Sequence, residues 1–288
     1  MGNGSADFGG WQWTLRHARF WRPYRIFGRL QSWQRAMRAC RKVRNASLHR
    51  PLWMRRDTVL GALPVADIAT SLRVHGYCAG LRLPSQLVAE LYDRAQNSAC
   101  FTRPDDPERF LIGQVRKGRS PRGKPVATAD VDIDINACAA MARVAGDPAL
   151  IEAVQHHLGY SPRHVATRLY WSPRSPLSHR ERRSNGQTID YHYDIERANT
   201  LYVYFYLTDT DRQGGPHVVV SGSHRPKSLR LKWRSTRQPE DIVLDHYRAR
   251  PGRRPGRQGR LWLLRGPRLL PQGLAAAKLR PADAAIAL

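Results

Sequence analysis

The chain has 288 residues, of which 41% are hydrophobic. This is enough for a real core in one sizeable domain with extensions, or in two small domains. No apolar run approaches the roughly 20 residues of a membrane-spanning helix, which excludes a transmembrane segment from the prediction. The four scattered cysteines form no CxxC pair and follow no export signal, so we expect a reduced, cytoplasmic protein without a disulfide framework.

The formal net charge of +25 is concentrated at the two ends of the chain. Residues 1–56 hold 13 Lys or Arg side chains and one acidic one, and residues 248–288 hold ten and one. Residues 57–247 are therefore nearly balanced. A charge this positive first suggests nucleic acid or an anionic membrane as a partner, but its distribution argues against a basic surface across the folded domain.

The N-terminal extension, residues 1–56, interleaves aromatic and basic side chains. Within it, residues 28–43 have helical spacing in Leu30, Trp33, Met37 and Cys40. A basic amphipathic helix of this kind can bind RNA or an anionic membrane, and residues 11–56 would then be the binding segment. The ordinary alternative is a helix that packs on the domain with its arginines in water.

Residues 57–160 have the pattern of a helical lead-in. The spacing predicts helices over 64–73, from Ser85 through Tyr92 with Ser85 as the N-cap, and over 147–158. Residues 102–124 are predicted to form a loop. Asp130, Asp132 and Asp134 alternate with apolar residues, which suits either a metal-binding carboxylate face or, more often, an edge strand or loop entry with one wet side.

Residues 161–250 change to the period of β-strands. The pattern predicts strands over 164–171, 188–193 and 200–208, a turn over 213–216 and a β-rich segment over 217–220. In the clearest strand the tyrosines at 202, 204 and 206 face one side and the apolar residues at 201, 203, 205 and 207 face the other. Helices followed by short strands predict an α+β chain built around a β-barrel or jelly roll.

His192 and Asp194 stand two residues apart in an extended segment, where alternate side chains point the same way. An imidazole nitrogen and a carboxylate oxygen can therefore reach one cation. Fe(II) accepts both donor types, and a set of two His and one carboxylate leaves positions open for a co-substrate and oxygen. Alone, a His-x-Asp pair is a weak signal, because any protein of this size can contain one by chance.

The pair lies inside a longer pattern that resembles the phytanoyl-CoA dioxygenase family. The resemblance covers roughly residues 60–247 and is carried by Tyr191–Ile195, Tyr204–Asp209, Gly215-Pro216-His217 and Gly222-Ser223-His224. It implies a double-stranded β-helix, of the jelly-roll type, that binds Fe(II) and 2-oxoglutarate and hydroxylates a small-molecule substrate.

The resemblance also implies roles for single residues. His192 and Asp194 would be the first two iron ligands, whereas His217 and His224 would be loop or core histidines and not ligands. Tyr170 could line the pocket, and Tyr204 could contact the co-substrate or simply fill the barrel.

The last segment departs from the family pattern. The family's third ligand is a His near the chain end in a Phe-His-Lys-Gly context, followed by an Arg that pairs with the distal carboxylate of 2-oxoglutarate. This chain has no His after His246. We therefore expect residues 251–288 to form a basic tail of low order in place of closing strands, the barrel to be incomplete, and the chain to be impaired or inactive as written.

A coding frame read one nucleotide later from around Arg250 explains this ending. With permitted codon choices, residues 260–273 become Gly-Ser-Gly-Tyr-Phe-Glu-Asp-Pro-Gly-Phe-Phe-His-Lys-Gly, and residues 274–285 become Leu-Pro-Pro-Gln-Ser-Ser-Asp-Arg-Leu-Met-Leu-Gln. Some steps leave little freedom, since Trp262 can only yield Gly and Gln272 only Lys or Arg. Our hypothesis is that a frameshift, in the gene or in the sequencing, replaced the closing strands.

Two other functions stay open beside an oxygenase. One is a non-catalytic barrel retained as a binding or scaffold protein. The other is a basic protein that associates with RNA or a membrane through residues 11–56, for which salt-dependent binding would be the sign.

Overall fold

The computed structural model describes residues 36, 39, 40, 43, 58–134, 137–162, 165–173, 176–185, 190–192, 201–208, 217–224, 237–248, 262–265, 271–273 and 283–287. The described helices are α1 (Val65–Val74), α2 (Ser85–Asn97), α3 (Ala139–Ala145), α4 (Pro148–Leu158), α5 (His179–Ser184) and α6 (Glu240–Arg248). The described strands are β1 (Tyr77–Ala79), β2 (Cys100–Phe101), β3 (Ala129–Val131), β4 (Arg168–Ser172), β5 (Tyr191–His192), β6 (Leu201–Tyr206), β7 (His217–Val219), β8 (Arg237–Gln238), β9 (Trp262–Arg265), β10 (Pro271–Gly273) and β11 (Asp283–Ala287).

The strands form one large sheet and two small ones. Seven of them make an antiparallel sheet in the order β1-β9-β6-β11-β4-β3-β2. β7 pairs with β10 and β5 pairs with β8, both antiparallel, and β10 lies against β5. The small sheets cover the tyrosine side of β6, because Val219 of β7 packs against Tyr202, Tyr204 and Tyr206.

Helices cover the opposite side of the large sheet. The apolar residues of β6, Val203 and Phe205, are buried with Leu169 and Trp171 of β4 in the main core. Helices α1 to α4 bury their apolar residues in the same core, and Tyr92 of α2 meets the edge of Trp171 with ring centroids 5.7 Å apart. The alternation predicted for residues 201–207 is thus confirmed.

The α+β architecture with antiparallel sheets matches the predicted fold class. The described residues do not form a closed barrel, so the double-stranded β-helix is a finer assignment that belongs to the proposed function. No helix among the described residues is long and apolar enough to span a membrane.

Most predicted elements of the lead-in are present, with one correction. The helices predicted over 64–73 and 147–158 are α1 and α4, and Asp147 caps α4 by accepting a hydrogen bond from Leu150 N. The predicted N-cap at Ser85 is wrong. Ser85 is already helical, and the extended Pro84 precedes it without a side-chain cap. Proline fixes the backbone for entry into the helix, so the cap position falls one residue earlier.

The alternating aspartates do not form a metal-binding face. Asp130 is buried and accepts hydrogen bonds from the Arg168 guanidinium, and Asp132 pairs with Arg109 at 2.6 Å. Asp130 meets Arg168 because β3 pairs with β4. The expectation of an edge strand with one wet side is wrong for β3, which is not an edge strand and whose three residues are all buried. The exposed Asp132 and Asp134 follow the strand, which agrees with the alternative of a loop entry.

The C-terminal segment differs from the expectation of a tail without strands. β9 pairs with β1 and β6, β11 pairs with β4 and β6, and β10 pairs with β7. Ladder hydrogen bonds join backbone groups, so a segment can complete a sheet without the side-chain alternation that sequence analysis detects. The division at residue 251 and the other predicted domain limits stay predictions.

The N-terminal extension is represented by four described residues. Ala36, Ala39, Cys40 and Val43 are helical, which agrees with the helix predicted over 28–43. The remaining residues of 1–57, and with them most of the proposed RNA- or membrane-binding segment, lie outside the described residues.

Candidate metal and co-substrate site

The candidate site lies on the tyrosine face, which we define as the side of β6 that carries Tyr202, Tyr204 and Tyr206. Tyr202 and Tyr204 stack with ring centroids 6.1 Å apart, and all three tyrosines pack with Tyr77 around the fully buried Val219. The alternation of β6 sends its apolar residues to the core, so its polar hydroxyl groups are gathered between the sheets.

His192 is the described member of the predicted metal pair. Its Nδ1 lies 3.0 Å from the carbonyl oxygen of Asp190. Since a carbonyl only accepts, Nδ1 carries the proton, and in the neutral ring Nε2 keeps the lone pair. A His held in this way by a backbone carbonyl has the tautomer and ring orientation that metal-binding imidazoles have.

The orientation of β5 directs His192 toward the tyrosine face. Tyr191 is buried with Val218, Val220, Val243 and Tyr247, beneath α6 on the outer side of β7. Because neighbouring residues of a strand face opposite sides, His192 faces inward. Asp194, the second predicted ligand, lies outside the described residues.

His217 is a half-buried histidine beside His192. Its Nδ1 is 2.7 Å from the Tyr206 hydroxyl oxygen, which also accepts the His217 backbone N–H at 2.9 Å. Its ring centroid is 4.6 Å from that of Tyr204. Desolvation, with a smaller contribution from His192, lowers the pKa of His217 from 6.5 to about 4. The prediction that His217 is a core or loop histidine agrees with these contacts.

His224 also has a structural position. It is buried, and its Nε2 lies 3.0 Å from the carbonyl oxygen of Arg73 at the end of α1. In the same turn, Gly222 donates its backbone N–H to the His75 carbonyl at 2.6 Å. The Gly-Ser-His segment therefore joins the end of β7 to α1, as expected for residues that shape a turn.

Tyr170 and Tyr204, the predicted co-substrate contacts, are close to Arg168, a cation that sequence reasoning did not select. Tyr170 is buried on β4, and desolvation raises the pKa of its hydroxyl to about 12. The guanidinium of Arg168 lies 4.6 Å from the centre of the Tyr170 ring. The electrostatic effect of Tyr204 on Arg168 places it nearby as well.

Arg168 is held by Asp130 and is not presented for a ligand carboxylate. Its Nη2 donates to Asp130 Oδ2 at 2.9 Å, and its Nε bonds to Oδ1. The pair could have been suspected from sequence only by knowing that β3 and β4 are neighbours, which is a tertiary fact.

Among the described residues no group of three or more His, Cys, Asp and Glu side chains could hold a metal ion. His192 fits an iron ligand by its tautomer and by the face of β5 it occupies. Of the two proposed ligands only His192 is among the described residues, so these residues fit the ion only in part. We therefore derive no reaction step through iron.

A shallow apolar groove lies elsewhere, lined by Ser85, Val88, Ala89, Tyr92, Leu207 and Thr208. Leu207 belongs to the main core on the helical side of β6. The groove is thus separated from His192 by the large sheet.

Comparison with known proteins gives structural likeness alone. No family model and no curated protein matches the chain. The non-heme alpha ketoglutarate dependent epimerase SnoN from nogalamycin biosynthesis is similar with 18% identity and a TM-score of 0.47, over 78% of this chain and 82% of that one. EctD from S. alaskensis with bound Fe has 17% identity and a TM-score of 0.47, over 81% of each chain.

Two further structures of these proteins contain ligands. SnoN was crystallised with Fe3+, alpha ketoglutarate and nogalamycin RO, and matches with 17% identity and a TM-score of 0.44 over 77% of this chain and 82% of that one. EctD was crystallised with 2-oxoglutarate and 5-hydroxyectoine, and matches with 15% identity and a TM-score of 0.45 over 81% and 80%. TM-scores of this size do not establish a function for this chain.

Proposed function

We propose that this chain is built as an Fe(II)- and 2-oxoglutarate-dependent oxygenase of the phytanoyl-CoA dioxygenase type, with a double-stranded β-helix and a small-molecule substrate. His192 and Asp194 are the proposed iron ligands, and Tyr170 and Tyr204 are the proposed neighbours of the co-substrate. Bound together, Fe(II) and 2-oxoglutarate would supply the oxidising power for hydroxylation. We place the protein in the cytoplasm because all four cysteines are free thiols.

The observation that carries the proposal is the tautomer and the inward position of the His192 ring. Its proton is fixed on Nδ1 by the Asp190 carbonyl, and its strand faces the tyrosine face. That arrangement is what a ligand on the first strand of a His-x-Asp motif requires. An ordinary surface histidine needs neither a fixed tautomer nor an inward position.

Metal titration of the purified full chain tests the proposal. We expect Co(II), an air-stable substitute for Fe(II), to bind weakly and to lose about tenfold or more in affinity in His192→Ala. His156→Ala, an exposed histidine on α4, is the matched control and should leave binding unchanged. Equal Co(II) affinities for the two variants would refute the assignment of His192.

Catalysis is expected to be weak in the chain as written. We propose that the missing third ligand and the missing Arg impair both metal and 2-oxoglutarate binding. Succinate release from 2-oxoglutarate with Fe(II) and ascorbate, screened over candidate small molecules, measures this activity. A chain that binds 2-oxoglutarate or a small molecule without any succinate release would instead be a binding or scaffold protein, which the lack of a three-ligand cluster in the described residues also allows.

We further propose that a frameshift gave rise to the sequence after about residue 250. The support is the shifted reading itself, which supplies a His and, further on, an Arg in the family's own context. Resequencing of the locus, together with an intact mass of the native protein, decides between a lesion in the gene and an error in the sequence. A DNA sequence whose shifted translation lacks Phe-His-Lys-Gly would rule the hypothesis out.

A further inference from the structure

The chain between β2 and β3 presents a basic surface. This loop, residues 102–124, holds seven Lys or Arg side chains and three acidic ones. It starts beyond β2, the edge strand of the large sheet, where Cys100 and Phe110 form a β-bridge. Charged loops of this kind are ordinary solvated surface unless the structure holds their cations in fixed positions, as two turns do here.

The first turn carries a lysine at its tip. Arg116 and Arg119 exchange backbone hydrogen bonds of 3.0 and 2.9 Å. Between them, Lys117 and Gly118 both have positive φ, at 48° and 72°. This is the geometry of a two-residue hairpin turn, in which asparagine and glycine are the preferred central residues. The sequence instead places a lysine in a conformation that lysine rarely adopts, so a fixed and exposed cation stands at the tip.

The second turn is held by a buried carboxylate. Glu108 is 5% exposed and accepts the backbone N–H of Arg122 at 3.0 Å. The turn is closed by the backbone N–H of Ser120, which donates to the Lys124 carbonyl at 2.9 Å. The Arg122 side chain is itself exposed. A buried acid thus fixes the backbone of a turn that presents a cation to water.

Arg119 joins these turns to the helix α5. Its Nη1 donates to the Gly123 carbonyl at 3.1 Å, and its Nη2 donates to Glu181 Oε1 at 3.3 Å. The helix is anchored by Arg182, which is 3% exposed, whereas Arg180 is exposed. The two turns and α5 therefore form one continuous surface.

We define the basic patch as five side chains of this surface: Arg116, Lys117, Arg119, Arg122 and Arg180. Arg119 pairs with Glu181. Within the described ranges, no acidic side chain forms an ion pair with Lys117, Arg122 or Arg180. The patch therefore has positive charge that the fold itself does not compensate.

The surroundings of the patch favour carboxylates of a protein over nucleic acid or a membrane. Phe110, the one aromatic residue of the loop, is buried, so no ring is presented for stacking on bases. Asp105 and Glu181 lie among the cations and would repel phosphates. In the described loop Leu111 is the one large apolar side chain that is exposed, which is too little for insertion into a bilayer. A guanidinium group forks onto a carboxylate, and Arg119 already makes such a contact within the chain.

We propose that the basic patch is a docking surface for an acidic protein partner, which it binds through pairs between its cations and the carboxylates of that partner. Because the turns are fixed before binding, little conformational entropy is lost when the partner docks. The proposal does not depend on the proposed function. It has one link to the candidate site, since Arg183 of α5 holds Asp190 at 2.8 and 2.5 Å, and the Asp190 carbonyl orients His192.

Binding of labelled poly-L-glutamate by the full chain at low salt tests the proposal. Lys117→Glu/Arg122→Glu should weaken binding by about tenfold, because two exposed charge pairs are lost and repulsion replaces them. Arg73→Glu/Arg82→Glu is the matched control. It changes the net charge equally, at exposed positions on either side of β1, which is the other edge strand of the large sheet.

The control variant should lose much less affinity than the patch variant. The basic ends of the chain are the same in both, so their contribution cancels in the comparison. Equal losses would show that net charge alone attracts the acidic chain, and would overturn the proposal.

Oligouridylate RNA and vesicles that contain phosphatidylserine distinguish the other polyanions. We expect the patch and control variants to bind each of these ligands equally. A loss of RNA or vesicle binding in Lys117→Glu/Arg122→Glu that exceeds its loss of poly-L-glutamate binding would assign the patch to that ligand. The acidic protein partner would then be wrong.

Two further variants keep the test decisive if charge reversal disturbs folding, as circular dichroism and thermal melting would show. Lys117→Gln/Arg122→Gln introduces no new charge and should weaken poly-L-glutamate binding by about threefold. Glu108→Ala makes the chain more positive but removes the acceptor that holds the second turn, so it should also weaken binding. Tighter binding by Glu108→Ala, or unchanged binding by the glutamine variant, would identify the loop as ordinary solvated charge and overturn the proposal.

Discussion

The half-buried His217 is bonded to Tyr206 and its ring is desolvated, and this makes stability depend on pH. Its pKa in the folded state is lowered from 6.5 to about 4. Between these pH values the unfolded state binds more protons than the folded state. The contribution of His217 to the free energy of unfolding is therefore complete above about pH 6.5 and is lost as the pH drops toward 4. The loss is at most on the order of 3 kcal/mol. Urea unfolding at pH 7 and at pH 4.5 measures it.

The substitution His217→Gln isolates this contribution. Glutamine keeps an acceptor for Tyr206 but does not titrate, so the variant should lose less stability between the two pH values than the unchanged chain. His156→Gln removes an exposed histidine and should leave the pH dependence as it is. An unaltered pH dependence in His217→Gln would show that another group is responsible.

Asp130 and Asp132 provide a second comparison between single residues. Asp130 is buried and paired with Arg168, whose side chain is 35% exposed. Asp132 and its partner Arg109 are 49% and 37% exposed. Removing one partner of a buried pair leaves a charge without compensation, whereas an exposed pair contributes little.

We therefore expect Asp130→Asn to lower the free energy of unfolding by about 2–3 kcal/mol, below the full buried-pair value because Arg168 is partly exposed. Asp132→Asn should cost about 0–1 kcal/mol. Thermal or urea unfolding of the two variants measures the difference. Equal losses would mean that the Arg168 charge is solvated well enough to need no partner.

At the scale of single elements, the start of α4 depends on one side chain, that of Asp147. Asp147 is 1% exposed. It accepts hydrogen bonds from Leu150 N at the helix start, and from the Thr58 hydroxyl and Val59 N at 2.7 Å each. One carboxylate thus caps a helix and fixes the segment that leads into α1.

Asp147→Ala should cost about 2 kcal/mol or slightly more, the upper end for an N-cap, because the donors it leaves are partly or wholly buried. Glu181→Ala is the comparison, since Glu181 belongs to an exposed capping box on α5 and should cost about 0.5–1 kcal/mol. Free energies of unfolding from urea titration give both values. A smaller loss for Asp147 than for Glu181 would contradict the role of Asp147 in joining two segments.

The elements that could be predicted are those in which apolar residues recur with the period of a strand or a helix. β6 alternates tyrosine with apolar residues, and α1 and α4 carry apolar residues at helical spacing. The helix α5 reads His-Arg-Glu-Arg-Arg-Ser and has no such repeat. It forms from the capping box of Ser178 and Glu181, a signal of two residues within a polar stretch.

The site was predictable only where neighbours in sequence are neighbours in space. His192 could be selected because its motif is local. The bond between Tyr206 and His217, and the pairing of Arg168 with Asp130, join residues from different strands and need the sheet order. The strands β9 to β11 were not predicted, because their pairing depends on backbone groups and not on a side-chain pattern.

At the scale of the whole molecule, the C-terminal strands are expected to decide solubility. β11 lies between β4 and β6, and β9 lies between β1 and β6. Ending the chain at residue 250 would leave long sheet edges unpaired, so we expect aggregation and loss of a cooperative thermal transition. Size-exclusion chromatography and thermal melting check this against the full chain. A monomeric truncated protein with an unchanged melting temperature would show that these strands add no stability.

The contacts between the turn after β7 and the end of α1 affect the order in which the protein can fold. His224 lies 151 residues beyond Arg73, yet it meets the carbonyl of that residue, and Gly222 bonds to the carbonyl of His75. A ribosome releases the helix long before it makes the residues that bind the helix end. We therefore expect these carbonyl groups to face water during synthesis until the residues after β7 have emerged from the ribosome.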